Sequence, residues 1–303
     1  MAAMTSAVTP ADPAELDAIV ELIADEQARP DRNITYLGLD TAGIRAELDD
    51  LDPPWSTTVR VARADGVVVG ATVADWDDEL GRAWIQGPWV AGEDETWSRW
   101  ARALVDAALV QLPPAIADFE LAGTVENGRL ADLAAELGWP ATEVNYAYAL
   151  DVARVAEWDD DTRPAAPVRE AAAGDADAIR PLHDAEFPAT YLPTERLLAE
   201  AAAGERIAIV TTDADGDVTG YASGKVNPDG DGYIDFVAVD PAARGTGAGR
   251  TLVTALSRRL APDVTTGRIN LTVQEHRSPA RALYARLGFH VDVAFVGYRK
   301  KKP

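Results

Sequence analysis

Three glycines at alternate positions, Gly245, Gly247 and Gly249, lie between Arg244 and Arg250, just after the strand-like run Val237-Ala238-Val239. Pro241 stops that strand, and the glycines let the backbone turn tightly while leaving its N–H groups uncovered. Uncovered amides that open a helix, flanked by two guanidinium groups, suit a pyrophosphate. The turn is not a P-loop, because no Lys-Ser/Thr pair follows, and it comes after the fourth strand of its unit where a dinucleotide fold would place it after the first. Upstream, Asp235 is the one carboxylate in the apolar run Tyr233 to Val239 and shares a face with Val237 and Val239. A carboxylate there is costly without a task or a partner, so Asp235 is either a proton acceptor or the mate of an arginine. Downstream, Ala280, Leu283, Tyr284 and Leu287 fall at helical spacing, so Tyr284 carries its hydroxyl toward the core side.

These residues need elements to hold them. Ser278 and Pro279 read as the cap and first position of a short helix that Gly288 stops, and Gly247 to Leu260 reads as the helix opened by the glycine turn. Strands are expected over Ile207 to Thr211, Val218 to Lys225, Tyr233 to Val239 and Arg268 to Val273, preceded by a helix over Ala176 to Glu186. The first half repeats the pattern, with a helix over Ala14 to Glu26 and strands over Thr57 to Ala62, Val67 to Val73, Ala83 to Val90 and Ala117 to Leu121 around a helix over Trp97 to Leu109. Phe119-Glu120-Leu121, Leu133 and Leu137-Gly138-Trp139 match Ile269-Asn270-Leu271, Leu283 and Leu287-Gly288-Phe289 at a constant offset of 150 residues, so one unit occurs twice. Between them, Glu157 to Pro167 is acidic, bears prolines and lacks periodicity, which reads as a linker. The expected organisation is a domain over 1–152, a linker over 153–167 and a domain over 168–303.

The 303 residues suffice for two domains of that size, and the absence of cysteine excludes disulfides, thiolate metal sites and cysteine nucleophiles. With only three histidines no metal is expected. A formal charge of −22 argues against nucleic acid and fits a cationic small partner. The charge is uneven: residues 1–151 carry 9 basic and 28 acidic side chains, net −19, while residues 241–303 carry 12 and 3, net +9. An anion is expected to dock in that basic segment, whose closing Lys300, Lys301 and Lys302 read equally well as a solvated tail. Neither a basic leader nor a run of 18 apolar residues occurs, so the expectation is a cytoplasmic protein with no membrane partner.

Together, the turn Arg244-Gly245-Thr246-Gly247-Ala248-Gly249 and the ending Leu283-Tyr284 to Leu287-Gly288-Phe289 resemble the GNAT N-acyltransferase superfamily over the second half of the chain. The resemblance implies an α/β (α+β) fold of two tandem domains, each a mixed, mostly antiparallel central sheet flanked by helices. It implies acetyl-CoA as cosubstrate, with its pyrophosphate on Arg244, Gly245, Thr246, Gly247, Ala248, Gly249 and Arg250 and its pantetheine along Phe236, Val237, Ala238 and Val239. It implies Tyr284 as the acid that protonates the departing thiolate, while Arg277 departs from the asparagine usual in the family at a position that would face the pantetheine. Asp235 is the expected relay for the amine proton. In the first half Glu93-Asp94-Glu95 stands where the glycine turn should be and Ala134 stands for Tyr284, so that domain reads as the same fold with its chemistry erased. The expected activity is transfer of an acetyl or acyl group to a primary amine of a small molecule or peptide, by a monomer or homodimer. The alternative is a silent acyl-CoA-binding sensor or assembly module. His183, Glu186, Phe187 and Tyr191 are the candidates for the acceptor pocket, and the five tryptophans Trp84, Trp89, Trp97, Trp100 and Trp139 read mainly as packing.

Overall fold

The computed structural model describes residues 8–158, 166–188 and 190–302. In chain order the elements are β1 (Val8–Pro10), α1 (Leu16–Gln27), α2 (Thr41–Asp49), α3 (Trp55–Thr58), β2 (Val59–Ala64), β3 (Val67–Asp77), β4 (Arg82–Val90), α4 (Asp94–Val110), β5 (Asp118–Thr124), α5 (Gly128–Leu137) and β6 (Ala141–Asp151). They continue with α6 (Val152–Ala156), β7 (Val168–Glu170), α7 (Ala176–Glu186), α8 (Thr194–Ala203), β8 (Ile207–Thr212), β9 (Val218–Val226), β10 (Gly232–Val239), α9 (Ala248–Leu260), β11 (Arg268–Gln274), α10 (Ser278–Leu287) and β12 (His290–Lys301). The α/β duplication expected from the sequence is present.

The chain forms two compact units, one of residues 1–145 with 294–303 and one of residues 146–293. This division differs from the sequence boundaries at 152 and 168. The end of β12 pairs antiparallel with β5, from Phe295 opposite Thr124 to Lys301 opposite Asp118, and so belongs to the first unit. Residues 146–151 of β6 belong to the second. A repeat with a constant offset cannot reveal this exchange, because each last strand carries the same pattern and fits either sheet. Helix α6 runs from the last residue of the expected first domain, Val152, into the expected linker as far as Ala156, and residues 159–165 of that linker lie outside the described residues. Thr57 and Thr58, expected to begin a strand, close the one-turn helix α3 instead.

Each unit is a mostly antiparallel sheet with helices against it, in the order β1-β2-β3-β4-β5-β12 in the first and β6-β11-β10-β9-β8-β7 in the second. The parallel contact is β4 with β5 in one and β10 with β11 in the other. Helix α9 buries Leu252, Val253, Leu256 and Leu260 against the strands of the second unit, joining Ile234, Ile269 and Leu271. Trp89, Trp100 and Trp139 are core residues of the first unit, as expected for packing tryptophans.

Candidate functional site

The second unit is organised by a parallel pair that fails early. Strands β10 and β11 are in register at Gly232 and Ile269, Tyr233 and Asn270, and Ile234 and Leu271, and then part. On its other edge β10 stays paired with β9 to Val239, but the register slips between Ile234 and Phe236, which makes Asp235 the extra residue of a bulge. A bulge bends its strand and re-aims a side chain. Beyond it the edge of Phe236, Val237, Ala238 and Val239 that faces away from β9 turns toward the gap. At the base of the gap the Tyr233 hydroxyl donates to Thr272 Oγ1 at 3.1 Å.

The glycine turn follows at the open end. Gly245 and Gly247 have φ of +80° and +98°, a region that side chains with a Cβ rarely adopt, and Gly247 caps α9 with no side-chain hydrogen bond. Thr251 N–H is the first of the helix to reach back, to Gly247 O at 3.0 Å. The amides of Ala248, Gly249 and Arg250 are therefore free first-turn donors at the positive end of the helix dipole. A Cβ on Gly249 would sit 3.7 Å from Val239 Cγ2 and 3.6 Å from Leu283 Cδ2, so the turn, the end of β10 and helix α10 converge here.

Arg244 and Arg277 share a partner. Arg244 donates from Nε to the Val239 carbonyl at 3.2 Å and from Nη2 to Glu186 Oε1 at 2.5 Å. Arg277 caps α10 in place of the expected Ser278; it reaches Glu186 Oε2 at 2.5 Å, also donates to the Glu186 carbonyl, and lies over the Phe187 ring.

Tyr284 is buried beside Tyr148 and Phe289, with ring centroids 6.1 and 5.8 Å away. Burial pushes its hydroxyl up to about 12 while the Arg277 charge pulls the other way. The phenol is therefore a protonated donor at neutral pH.

Asp235 meets the second of its two expectations, the arginine partner. Its side chain is 2% exposed; Oδ2 pairs with Arg206, itself 2% exposed, and Oδ1 accepts the Tyr191 hydroxyl at 2.5 Å. Arg206 also donates to Glu200 and Ser223. Burial and the Asp235 charge hold the Tyr191 hydroxyl well above its usual range, so it stays a donor. Arg206 stands alone before an apolar strand and gave no periodic signal. An aspartate on an apolar strand pointed either to a task or to a buried cation, and Arg206 is that cation.

Three of the four acceptor candidates form one aromatic box, while Glu186 is held by Arg244 and Arg277. His183, Phe187 and Tyr191 pack on Phe236 with centroids 4.9, 4.9 and 5.6 Å away. His183 is fully buried, bonded to the Tyr221 hydroxyl and, through Nε2, to the Leu192 carbonyl at 2.9 Å, and burial lowers its pKa. Among the described residues no group of acidic, histidine or cysteine side chains is placed to hold a metal ion, and no helix is long and apolar enough to cross a membrane.

Comparison with known proteins meets this geometry. Residues 176–289 match the acetyltransferase (GNAT) family. Over the whole fold, the chain is similar to a GCN5-related N-acetyltransferase from Sphaerobacter thermophilus (20% identical, 98% of this chain and 96% of that one, TM-score 0.67). It is also similar to a tandem GNAT protein from the clavulanic acid biosynthesis pathway (18% identical, 98% of each chain, TM-score 0.64). The family match thus lies in the second unit, and the chain as a whole has the fold of tandem GNAT proteins. A curated relative, a mycothiol acetyltransferase of Thermomonospora curvata, is 37% identical over 89 residues, which span 29% of this chain and 30% of that protein.

Proposed function

We propose that this protein is an N-acetyltransferase that takes an acetyl group from acetyl-CoA and gives it to a primary amine of a small molecule or peptide, using the second unit alone. The observation that carries the reading is the parting of β10 from β11 after Ile234 and Leu271, with an amide-lined glycine turn at its open end. A strand edge without a partner takes an extended, amide-bearing chain by backbone hydrogen bonds, and the helix start beyond it takes a pyrophosphate. Acetyl-CoA supplies an activated thioester.

In this mechanism Phe236, Val237, Ala238 and Val239 hold the pantetheine, and a backbone N–H near Val239 polarises the thioester carbonyl. Gly245, Thr246, Gly247, Ala248, Gly249 and Arg250 hold the pyrophosphate with Arg244, and Arg277 flanks the gap. The neutral amine attacks the carbonyl carbon, the C–S bond breaks, and Tyr284 gives its proton to the sulfur. Asp235 is bonded at both oxygens, to Tyr191 and to Arg206, so its proposed role shifts from relay to positioning: it fixes Tyr191 on the aromatic box. The amine proton leaves to water, and a proton from water restores the Tyr284 phenol.

Calorimetric titration of acetyl-CoA into the parent and into Gly247→Glu tests the reading. One site is expected in the parent and none in the folded variant, because glutamate adds bulk, charge and a strained φ. An amine panel with thiol detection then finds the acceptor. Binding without thiol release from any amine would leave a silent acyl-CoA-binding module, and no binding would end the proposal.

A further inference from the structure

Glu186 is the last residue of α7, a position where the helix dipole disfavours an anion. It is nevertheless held there by charge-assisted bonds of 2.5 Å to both Arg244 and Arg277. The two arginines stand at the ends of the two parted strands. Arg244 is bonded to the carbonyl of Val239, the last residue of β10, and Arg277 to the side chain of Gln274, the last residue of β11, at 3.3 Å. Glu186 therefore joins the mouth of the gap from one strand end to the other, and one carboxylate occupies both guanidinium groups beside the glycine turn.

We propose that Glu186 is a specificity-determining residue for the anionic ligand: a built-in carboxylate that an incoming phosphate must displace from Arg244. This rests on the acyl-CoA reading of the same turn. Exchanging a carboxylate for a phosphate oxygen on one arginine replaces one charge-assisted bond by another and returns little net free energy. A small phosphate or diphosphate, whose affinity lies mainly in such bonds, is left with the open amides alone. A ligand that also lays an extended chain along Phe236 to Val239 has further contacts with which to force the exchange. Glu186 thus screens out the inorganic anions of the surroundings while admitting a diphosphate that carries the right arm. The triad as it stands has one carboxylate against two guanidinium groups, so it keeps a single net positive charge to attract its ligand. Side-chain exposures of 24% for Glu186 and 55% for Arg244 leave the pair open to displacement from solvent.

The experiment is calorimetric titration of two probes, acetyl-CoA and inorganic pyrophosphate, into the parent and Glu186→Gln, with Glu186→Ala as a second variant and thermal unfolding to establish that each is folded. The expected result is that pyrophosphate tightens on the order of tenfold or more in both variants, as for recovery of one charge-assisted bond, and that acetyl-CoA, relieved of displacing the same carboxylate, tightens by a similar factor. Small anions then cross the affinity threshold that Glu186 sets. Unchanged or weaker pyrophosphate binding in folded variants would overturn the proposal and make Glu186 a scaffold for the arginines. The acyl-CoA reading fails separately: a parent that binds no acetyl-CoA, with variants that gain pyrophosphate, would keep the screen and discard the cosubstrate. If acetyl-CoA binds the parent and the variants gain nothing, the reverse holds.

Discussion

The first unit contains the same parted strands as the second and fills them with its own chain. Strands β4 and β5 pair at Arg82 and Asp118, Ala83 and Phe119, and Trp84 and Glu120, then diverge after the same number of rungs as β10 and β11. Here Ile34 bridges Gly123, with Thr35 N–H on the Ala122 carbonyl at 3.1 Å and Thr124 N–H on the Asn33 carbonyl at 3.2 Å, so the free edge of β5 is taken. Gln27, 2% exposed, staples the segment: its Nε2 donates to the Ile34 and Leu37 carbonyls, and its Oε1 accepts from Ile34 N–H and Trp89 Nε1. In the second unit the corresponding stretch instead packs on β10, through Tyr191 on Phe236 and Asp235. The helix after the strands begins with Asp94 and Glu95, not glycines, and Arg129 answers Asp94. Fully buried Ala134 stands in place of Tyr284. The difference teaches that the gap belongs to the backbone of the fold, while room for a ligand depends on which loop enters the gap and on a few side chains at its rim.

The largest effect should come from Tyr284→Phe, which keeps the ring packing and removes the proton donor. If Tyr284 is the acid as proposed, kcat falls by about 10²–10⁴ with acetyl-CoA affinity preserved, measured as thiol release and by titration. Unchanged turnover would leave the two units without their supposed chemical difference at this position. Next is Gln27→Ala, which strips partners from Ile34, Leu37 and Trp89. A loss of about 3 kcal/mol is expected in urea unfolding, from several buried groups left unpaired. One acetyl-CoA per chain should still bind, because carboxylates remain at the start of α4. Full stability would show the plug to be loosely held, and a second binding site would show that the plug alone had silenced the first unit.

Part of this comparison could be read from the residues. Gly245 and Gly247 announce an uncovered turn because glycine readily adopts its positive φ, and Glu93-Asp94-Glu95 announces its loss by charge alone. The duplication followed from Leu137-Gly138-Trp139 and Leu287-Gly288-Phe289. The plug was hidden, since Asn33-Ile34-Thr35 is too short for a strand pattern and its partner is about ninety residues away. The destination of the last strand was hidden for the opposite reason, because two equivalent sheet edges can accept it. Lys300 and Lys302 read equally well as an anion dock or a solvated tail, yet they bond the carbonyls of Leu137 and Ile116, and Lys302 lies over Phe119. Arginine partners such as Arg206 for Asp235 are tertiary facts with no spacing to betray them.

A smaller effect concerns stability at high pH. The folded value of Tyr284, about 12, lies above its ordinary value of 10, so the native state favours the neutral phenol. Its contribution is fully present below pH 10 and is lost as pH rises from 10 toward 12, where the unfolded chain ionises and the folded one resists. Tyr284→Phe should therefore lose less stability than the parent between pH 10 and 12, by on the order of 2 kcal/mol. Ala134 offers no such group, so denaturation profiles of the two proteins should differ only in this range; parallel profiles would mean that the phenol is more hydrated than its burial implies.

The smallest effect separates two roles for Asp235. Tyr191→Phe releases Oδ1 of Asp235 while leaving the Arg206 pair and the ring on Phe236 in place. If Asp235 works by fixing Tyr191, the variant should raise KM for the amine a few-fold, as for loss of one hydrogen bond, and keep both kcat and its pH profile. If the carboxylate instead takes the amine proton, uncovering it should raise kcat and move the acidic limb of the profile. The first unit has no aspartate at the corresponding place, since Ile85 follows Trp84 after the last parallel rung, so a base role would make Asp235 part of what the second unit alone retained. A positioning role would tie it to the loop that lies on β10 in one unit and on β5 in the other.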